Sequence, residues 1–332
     1  MSPVTVLFNT YPVAFDCPGG GEIQLLQYEE HLAEQNIRVL RYDPWHPQFD
    51  YVDIIHYFSV QPGAWRFCWH VTEMRKMPLV ISPIVWIREH KEHYPLWEIR
   101  SLMDMATAVL PNSRAECDQL IELFEVNPEK CTPIVNGVDD IFFKTVSASL
   151  FRETFSLTEP FILCMGNIES RKNQLRLIQA VKGLGLHLVL AGQDREADYA
   201  EHCRAVADET VHFVGRLEHK SELQRSAYAA ASVLALPSSL ETPGLVALEA
   251  GATGCRLALT SEGCTKEYFG DFACYLDYHK VDSIRTAIEK ALTLPRSEQL
   301  SAFVKEKYTW HRAAQQLADV YHGILEHEGE VS

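Results

Sequence analysis

The run FILCMGNIESRKNQLRLIQAVKGLGLHLVLAG, Phe161 to Gly192, holds two apolar segments of strand length, FILCM and LHLVLA, each followed by glycine. Between them Leu175, Ile178 and Val181 recur at the spacing that keeps one helical face apolar. A strand, a helix and a strand in so short a stretch form a βαβ unit, whose strands run parallel. The alternation continues on both sides. Downstream stand VHFVG, SVLALPSS, CRLALT and ACYLD, with helical stretches between them. Upstream stand VTVLFN, IRVLRY, VDIIHYF, PLVISP and TAVLPN, interleaved with GEIQLLQYEEHLAEQ, AWRFCWHVTEMRK and SRAECDQLIELF. This pattern predicts parallel sheets covered by helices on both faces.

The pattern weakens from Asn136 to Pro160, where polar and turn residues dominate, and the domain link belongs there. A chain of 332 residues exceeds one ordinary core. The expected class is therefore α/β, with two tandem Rossmann-like, doubly wound, parallel-sheet domains. Ligands of such sheets bind beyond the carboxyl ends of the strands, and a cleft between two domains is a favoured site. The closing stretch TWHRAAQQLADVYHGILEHEG reads as a long amphipathic helix.

Composition narrows the function. A hydrophobic content of 47% with 23% charged residues is that of a globular chain. The net charge of -15 argues against a protein that coats nucleic acid, while leaving room for a local basic pocket. Nine scattered cysteines without a C-x-x-C read as reduced thiols of a cytoplasmic protein. The N-terminus lacks a signal-peptide pattern and no apolar run is long enough to span a bilayer. Peripheral contact with the inner face of a membrane stays open.

Two helix starts attract an anion. After the strand FILCMG, Ser170 is a candidate N-cap, which puts Arg171 and Lys172 in the first helical turn. That end of a helix is already positive, so two cations there make sense if an anion joins them. The alternative is that both point into water. After SVLALPSS, Thr242 is a candidate N-cap, Pro243 suits the first helical position, and Gly244 permits close backbone approach. Two such starts in one domain suggest a diphosphate. Glu241 then lies in the loop before the second helix. Glu249 falls near its apolar stripe, where an unpartnered carboxylate is costly. It could accept from ribose hydroxyls or belong to a structural ion pair, and spacing alone leaves both open. In the first domain DCPGGGEIQLL opens a helix on three glycines without matching the dinucleotide or P-loop fingerprints.

Together these residues resemble the family 4 glycosyltransferases of the two-domain GT-B fold. The segments that carry the resemblance are PGGGE (Pro18–Glu22), DIIHYF (Asp53–Phe58), IVNGVD (Ile134–Asp139), GNIESRKN (Gly166–Asn173), ETPGLVALEAGATG (Glu241–Gly254) and the closing YTWHRAAQQLADVY. The resemblance implies a retaining, metal-independent sugar transferase with no cofactor. It implies an acceptor-side domain of residues 1–145 joined by the closing helix 312–332, and a donor-side domain of 158–311. The expected reaction moves a hexose from a UDP- or GDP-sugar to a glycan, lipid-linked or small-molecule acceptor, as in polysaccharide biosynthesis. Alternatives are a catalytically degenerate scaffold of the same fold and a sugar-nucleotide epimerase.

The implied roles fall residue by residue. Lys172 and Arg171 neutralise the departing diphosphate, and Glu241 binds donor-sugar hydroxyls with help from backbone near Gly244 and Leu245. Glu249 holds the ribose, and Gly20 and Gly21 approach the donor from the other domain. Asn167 stands where many members carry arginine, so Arg171 is expected to supply that charge from a different position. Ser82 stands where many carry histidine, and Pro243 where many carry phenylalanine. His56 matches a family position, with a structural role as the alternative. On the acceptor side, Trp65 and Trp69 share a helical face, and His90 and His93 flank Lys91. These tryptophans are candidates for stacking on a sugar ring or touching a lipid-linked acceptor, with core packing as the alternative. The Asp139-Asp140 pair reads as a solvated turn rather than a metal site.

Overall fold

The computed structural model describes residues 3–87 and 91–331. The chain divides into two compact units, one made of residues up to Gly137 together with those from Trp310 onward, the other of Val138–Thr309.

In the first unit β1 (Val4–Asn9), α1 (Gly20–Leu32), β2 (Ile37–Arg41), β3 (Ile54–Phe58), α2 (Ala64–Trp69), β4 (Leu79–Ser82), α3 (Leu96–Met105), β5 (Ala108–Val109) and α4 (Arg114–Phe124) follow one another. The sheet order is β2-β1-β3-β4-β5 and every pairing is parallel, with Val6 opposite both Val39 and Ile54. The second unit opens with α5 (Ser149–Thr154) and then alternates β6 (Phe161–Met165), α6 (Gln174–Val181), β7 (His187–Ala191), α7 (Ala197–Val206), β8 (Val211–Phe213), α8 (Glu222–Ala230), β9 (Val233–Leu236), α9 (Leu245–Ala252), β10 (Leu257–Thr260), α10 (Thr265–Phe269) and β11 (Ala273–Leu276). It closes with α11 (Val281–Thr293) and α12 (Glu298–Lys307), and the last helix, α13 (Trp310–Val331), belongs to the first unit. Its sheet order is β11-β10-β9-β6-β7-β8, again all parallel.

Central strands buried on both faces must be apolar throughout rather than alternating. IIHYF of β3, FILCM of β6 and VLAL of β9 are buried at every position. Both sheets have the doubly wound order. In the second unit the chain winds from β6 outward to β8, then returns to the other side of β6 as β9. The neighbouring strands β6 and β9 therefore send their following loops in opposite directions, which opens a crevice at the switch point. Among the described residues no helix is long and apolar enough to cross a membrane.

His56 is the polar member of β3 and has no exposed surface. Its Nδ1 lies 2.6 Å from the Tyr321 hydroxyl on α13 and its Nε2 lies 2.9 Å from Ser82 Oγ on β4. The ring also stacks on Phe58 at 4.1 Å. Both nitrogens are thus used inside the unit. The structural reading of this residue, given above as the alternative, describes what is seen.

Burial pushes the His56 pKa down to about 3 from 6.5. An unfolded chain then binds a proton at this residue below pH 6.5 that the folded chain refuses. Stability present above 6.5 is lost as pH falls, by up to about 1.4 kcal/mol per pH unit from this group alone. Urea unfolding at stepped pH should show this slope in the wild type and a flatter one in His56→Gln. Identical slopes would remove His56 from the account.

Candidate active site

The loops after β6 and β9 meet at the crevice between them. After β6 the chain makes a 3-10 turn, Ser170–Lys172, and Asn173 at φ 60 precedes α6. This corrects the expected N-cap: α6 begins at Gln174, and the Ser170 amide and hydroxyl bind Glu196 instead, at 3.0 and 3.1 Å. Asn173 fixes the turn, since its Nδ2 donates to the carbonyls of Pro237 and Tyr278 at 3.0 and 2.9 Å. The turn is thereby bound to the end of β9.

This places Lys172 Nζ 2.6 Å from Glu241 Oε1, with side-chain exposures of 13% and 5%. Ser238 Oγ donates to the same oxygen at 2.6 Å. Glu241 is held from behind, because its carbonyl accepts from Cys264 N at 3.1 Å beside a bridge to Gly263. Burial pushes the Glu241 carboxyl up, but Lys172 and Arg171, with the hydrogen bonds from Lys172 and Ser238, hold it below the usual carboxylate range. A buried carboxylate is affordable here because a cation and a hydroxyl saturate one of its oxygens.

Arg171 is more open. Its guanidinium donates to Glu169 at 2.8 Å and to the Leu240 carbonyl at 3.2 Å, and its own carbonyl accepts from Ser239 N at 2.8 Å. Arg195 Nε stands 3.7 Å from the same Glu169. Each cation that looked unpaired in the sequence has a buried acid beside it. The cluster holds three cations (Arg171, Lys172, Arg195) and three carboxylates (Glu169, Glu241 and the Glu196 bound to Ser170), so its charges balance in a chain of net -15. Asn167 follows Gly166 at the end of β6, and its carbonyl accepts from Gln174 Nε2 at 2.9 Å. A Cβ at Gly166 would touch Lys172 Cε at 3.3 Å.

The second helix start also departs from expectation. The Thr242–Pro243 peptide is cis, Gly244 takes φ 85, and α9 begins at Leu245, two residues after the expected Pro243. A residue with that φ cannot belong to a right-handed helix. The close approach at Gly244 is to the chain's own Glu241, whose Oε2 would lie 3.0 Å from a Cβ there.

Glu249 on α9 is 4% exposed and shares its oxygens among three side chains. His219 Nε2 is 3.0 Å from Oε1, while Gln224 Nε2 at 3.1 Å and the Tyr228 hydroxyl donate to Oε2. In this structure the carboxylate is a brace between α8 and α9. Burial and the neighbouring Glu249 both raise the Tyr228 pKa, so the hydroxyl remains a donor. Sequence reasoning missed His219, Gln224, Tyr228 and Glu169. The i, i+4 spacing of Gln224 and Tyr228 on α8 was the one available signal, and it names no partner. Asp139 caps the turn after it, through the Ile141 amide at 2.9 Å, and pairs with Lys220 Nζ at 2.5 Å.

In the first unit Gly20 and Gly21 are the opening residues of α1, and a Cβ at Gly21 would meet Ile84 at 3.3 Å. Glu22 Oε2 accepts from the Gly19 amide at 2.7 Å, which anchors the glycine run. Trp65 and Trp69 stack at 6.0 Å, Trp97 leans on Trp65 at 6.4 Å, and the Trp65 indole donates to Ser101 at 2.8 Å. Trp69 and Trp97 are 40% and 68% exposed, so the cluster is a surface feature rather than core. His90 lies outside the described residues, as does the side chain of His93.

Two doubly wound parallel domains with this site at a strand switch define a GT-B protein. The fold matches that of sucrose-phosphate synthase from Thermosynechococcus elongatus, with a TM-score of 0.80 at 18% identity over 97% of this chain and 99% of that one. Anabaena HepE, solved with UDP and glucose, matches with a TM-score of 0.78 at 18% identity over 96% and 99%. Residues 147–310, just under half of the chain, match the family described as glycosyl transferases group 1. Among curated relatives, the D-inositol 3-phosphate glycosyltransferase of Stackebrandtia nassauensis is 26% identical over 240 residues, 64% of this chain and 53% of that protein. The chain spans about half the length of the curated relatives it matches.

Proposed function

We propose that the chain is a retaining, metal-independent glycosyltransferase that moves a hexose from a nucleoside diphosphate sugar to a glycan, lipid-linked or small-molecule acceptor. The observation that carries this reading is the buried Lys172–Glu241 pair at the switch between β6 and β9. A pyrophosphate entering there meets Lys172 and Arg171, whose attraction grows as the glycosidic bond breaks and negative charge gathers on the leaving phosphate. Glu241 has a second oxygen with which to accept from donor-sugar hydroxyls, near the backbone of Gly244 and Leu245. Glu249 accepts from the ribose by giving up part of its brace. Gly20 and Gly21 are further donor-binding candidates. The presence of UDP and glucose in the HepE structure supports a nucleotide-sugar donor and makes UDP one candidate. The intact ion pair favours an enzyme over a scaffold of the same fold.

Calorimetric titration with UDP, GDP, ADP and dTDP tests the donor side. One of the four should bind clearly more tightly than the rest. A folded chain that binds none of them overturns the reading.

The Trp65–Trp69–Trp97 cluster is the acceptor platform in this reading, since an indole face stacks on the apolar face of a sugar ring. A Trp65→Ala/Trp69→Ala double variant should raise the acceptor KM about ten-fold, a loss of one good aromatic contact, and leave donor hydrolysis unchanged. Unchanged acceptor kinetics in the folded variant would remove the tryptophans from the site.

A further inference from the structure

The second unit holds a cavity of about 590 Å³ at the far end of α9 from Glu241. Its walls include Phe143 and Lys144 from the segment before α5, Thr253 after α9, and Arg296, Glu298 and Lys305 at and within α12. The eight residues of α9 put about 12 Å of helix between this cavity and the Lys172–Glu241 pair. They are separate places in the same unit.

The charge of the walls is the unusual feature. Three cations and one carboxylate line a single cavity in a chain of net -15. Among the described residues none of the three cations has a carboxylate partner. Arg296 donates only to carbonyls, of Ala231 at 2.9 Å, Tyr228 at 3.0 Å and Thr253 at 3.4 Å. That is a favourable position for a cation at the C-terminal ends of α8 and α9, which offset part of the guanidinium charge without a carboxylate. Lys305 Nζ sits 5.6 Å from the centre of the Phe143 ring. Lys144 is exposed at the rim. The volume lies in the range of small-molecule sites. A long polyanion would be repelled by the rest of this acidic chain more strongly than a compact dianion seated among the three cations.

We propose that this cavity binds a small phosphomonoester that carries a ring, with its phosphate between Lys144, Lys305 and Arg296 and its ring against Phe143. The site is distinct from the donor site and does not depend on the donor reading. Binding would touch the segment that braces Glu249, because Phe142 packs against His219 and Tyr228 at ring distances of 6.0 and 6.1 Å.

Phenyl phosphate, inorganic phosphate and phenol are the probes, titrated calorimetrically into the full chain. Phenyl phosphate should bind wild type and Lys172→Ala alike and bind a Lys144→Ala/Lys305→Ala variant about a hundred-fold more weakly, from the loss of two charge-assisted contacts. Both lysines are exposed, so that variant retains its fold. No heat with wild type overturns the proposal. Loss of binding in a Lys172→Ala variant shown to be folded by its circular dichroism and urea midpoint overturns it too, since the anion would then occupy the Lys172–Glu241 site. Equal affinity for inorganic phosphate and phenyl phosphate overturns the assignment of a ring-bearing ligand.

Discussion

Replacing Lys172 by methionine should lower kcat/KM for release of nucleoside diphosphate from the donor sugar by about a thousand-fold, the scale seen when one strong electrostatic stabiliser of a leaving group is removed. The same change should cost stability. Glu241 is left buried, with Ser238 and the more distant Arg171 to support its charge. Breaking a buried pair by removing one partner costs about 3 kcal/mol or more. The carboxyl then titrates upward. In the wild type the pair contributes stability above the ordinary carboxylate value of 4.5 that is lost as pH falls through the lowered folded value, and in the variant that contribution is gone. A Lys172→Met/Glu241→Gln double variant separates the two effects. It should recover most of the stability, because no charge is left buried, and none of the activity. If the double variant recovers both, Lys172 serves the fold and not the reaction.

Gly263→Ala should unfold the second unit at markedly lower urea and abolish transfer with it. Gly263 takes φ 88, and an added Cβ would sit 2.0 Å from the Glu241 carbonyl oxygen and 2.9 Å from its carbon. Neither atom belongs to a flexible side chain, so the Glu241 backbone must move. With left-handed strain added, the cost is about 4 kcal/mol, in the range reserved for named structural clashes. Gly183 supplies the control. It takes φ 79 with open space around its missing Cβ, so Gly183→Ala bears only the backbone strain, about 1 kcal/mol. Equal midpoints for the two variants in urea unfolding would show that the Gly263 contact relaxes freely and that Glu241 is not rigidly held.

The architecture was open to reading because its strands are buried on both faces. FILCM and VLAL have no alternation to confuse them with a half-exposed sheet, and the turns that follow them are rich in glycine, serine and proline. Parallel order then follows from the helices between them. The loops bearing Lys172 and Glu241 could be picked out as strand ends, but 69 residues separate the two side chains, and only the sheet order makes their strands neighbours. Local sequence misplaced both helix starts by a few residues. Asn173 and Gly244 both adopt left-handed backbone; Asn173 is tied by tertiary contacts to Pro237 and Tyr278, and Gly244 follows a cis Thr242–Pro243 peptide. Glu249 shows the same limit. Its position on an apolar face was legible, while the three side chains around it come from residues 21 to 30 positions earlier, whose approach depends on how α8 packs on α9.

The Lys172–Glu241 bridge has a consequence for how a diphosphate would be received. The ammonium already holds a counter-ion that belongs to the chain, so an incoming phosphate does not simply dock; it displaces a carboxylate from its cation. Under the proposed function each turnover would open with a swap of partners and end with the swap undone, and the freed Glu241 oxygen would become ready for sugar hydroxyls at the moment Lys172 takes up the phosphate. Expulsion of the spent nucleotide would be driven by the chain's own acid reclaiming its base.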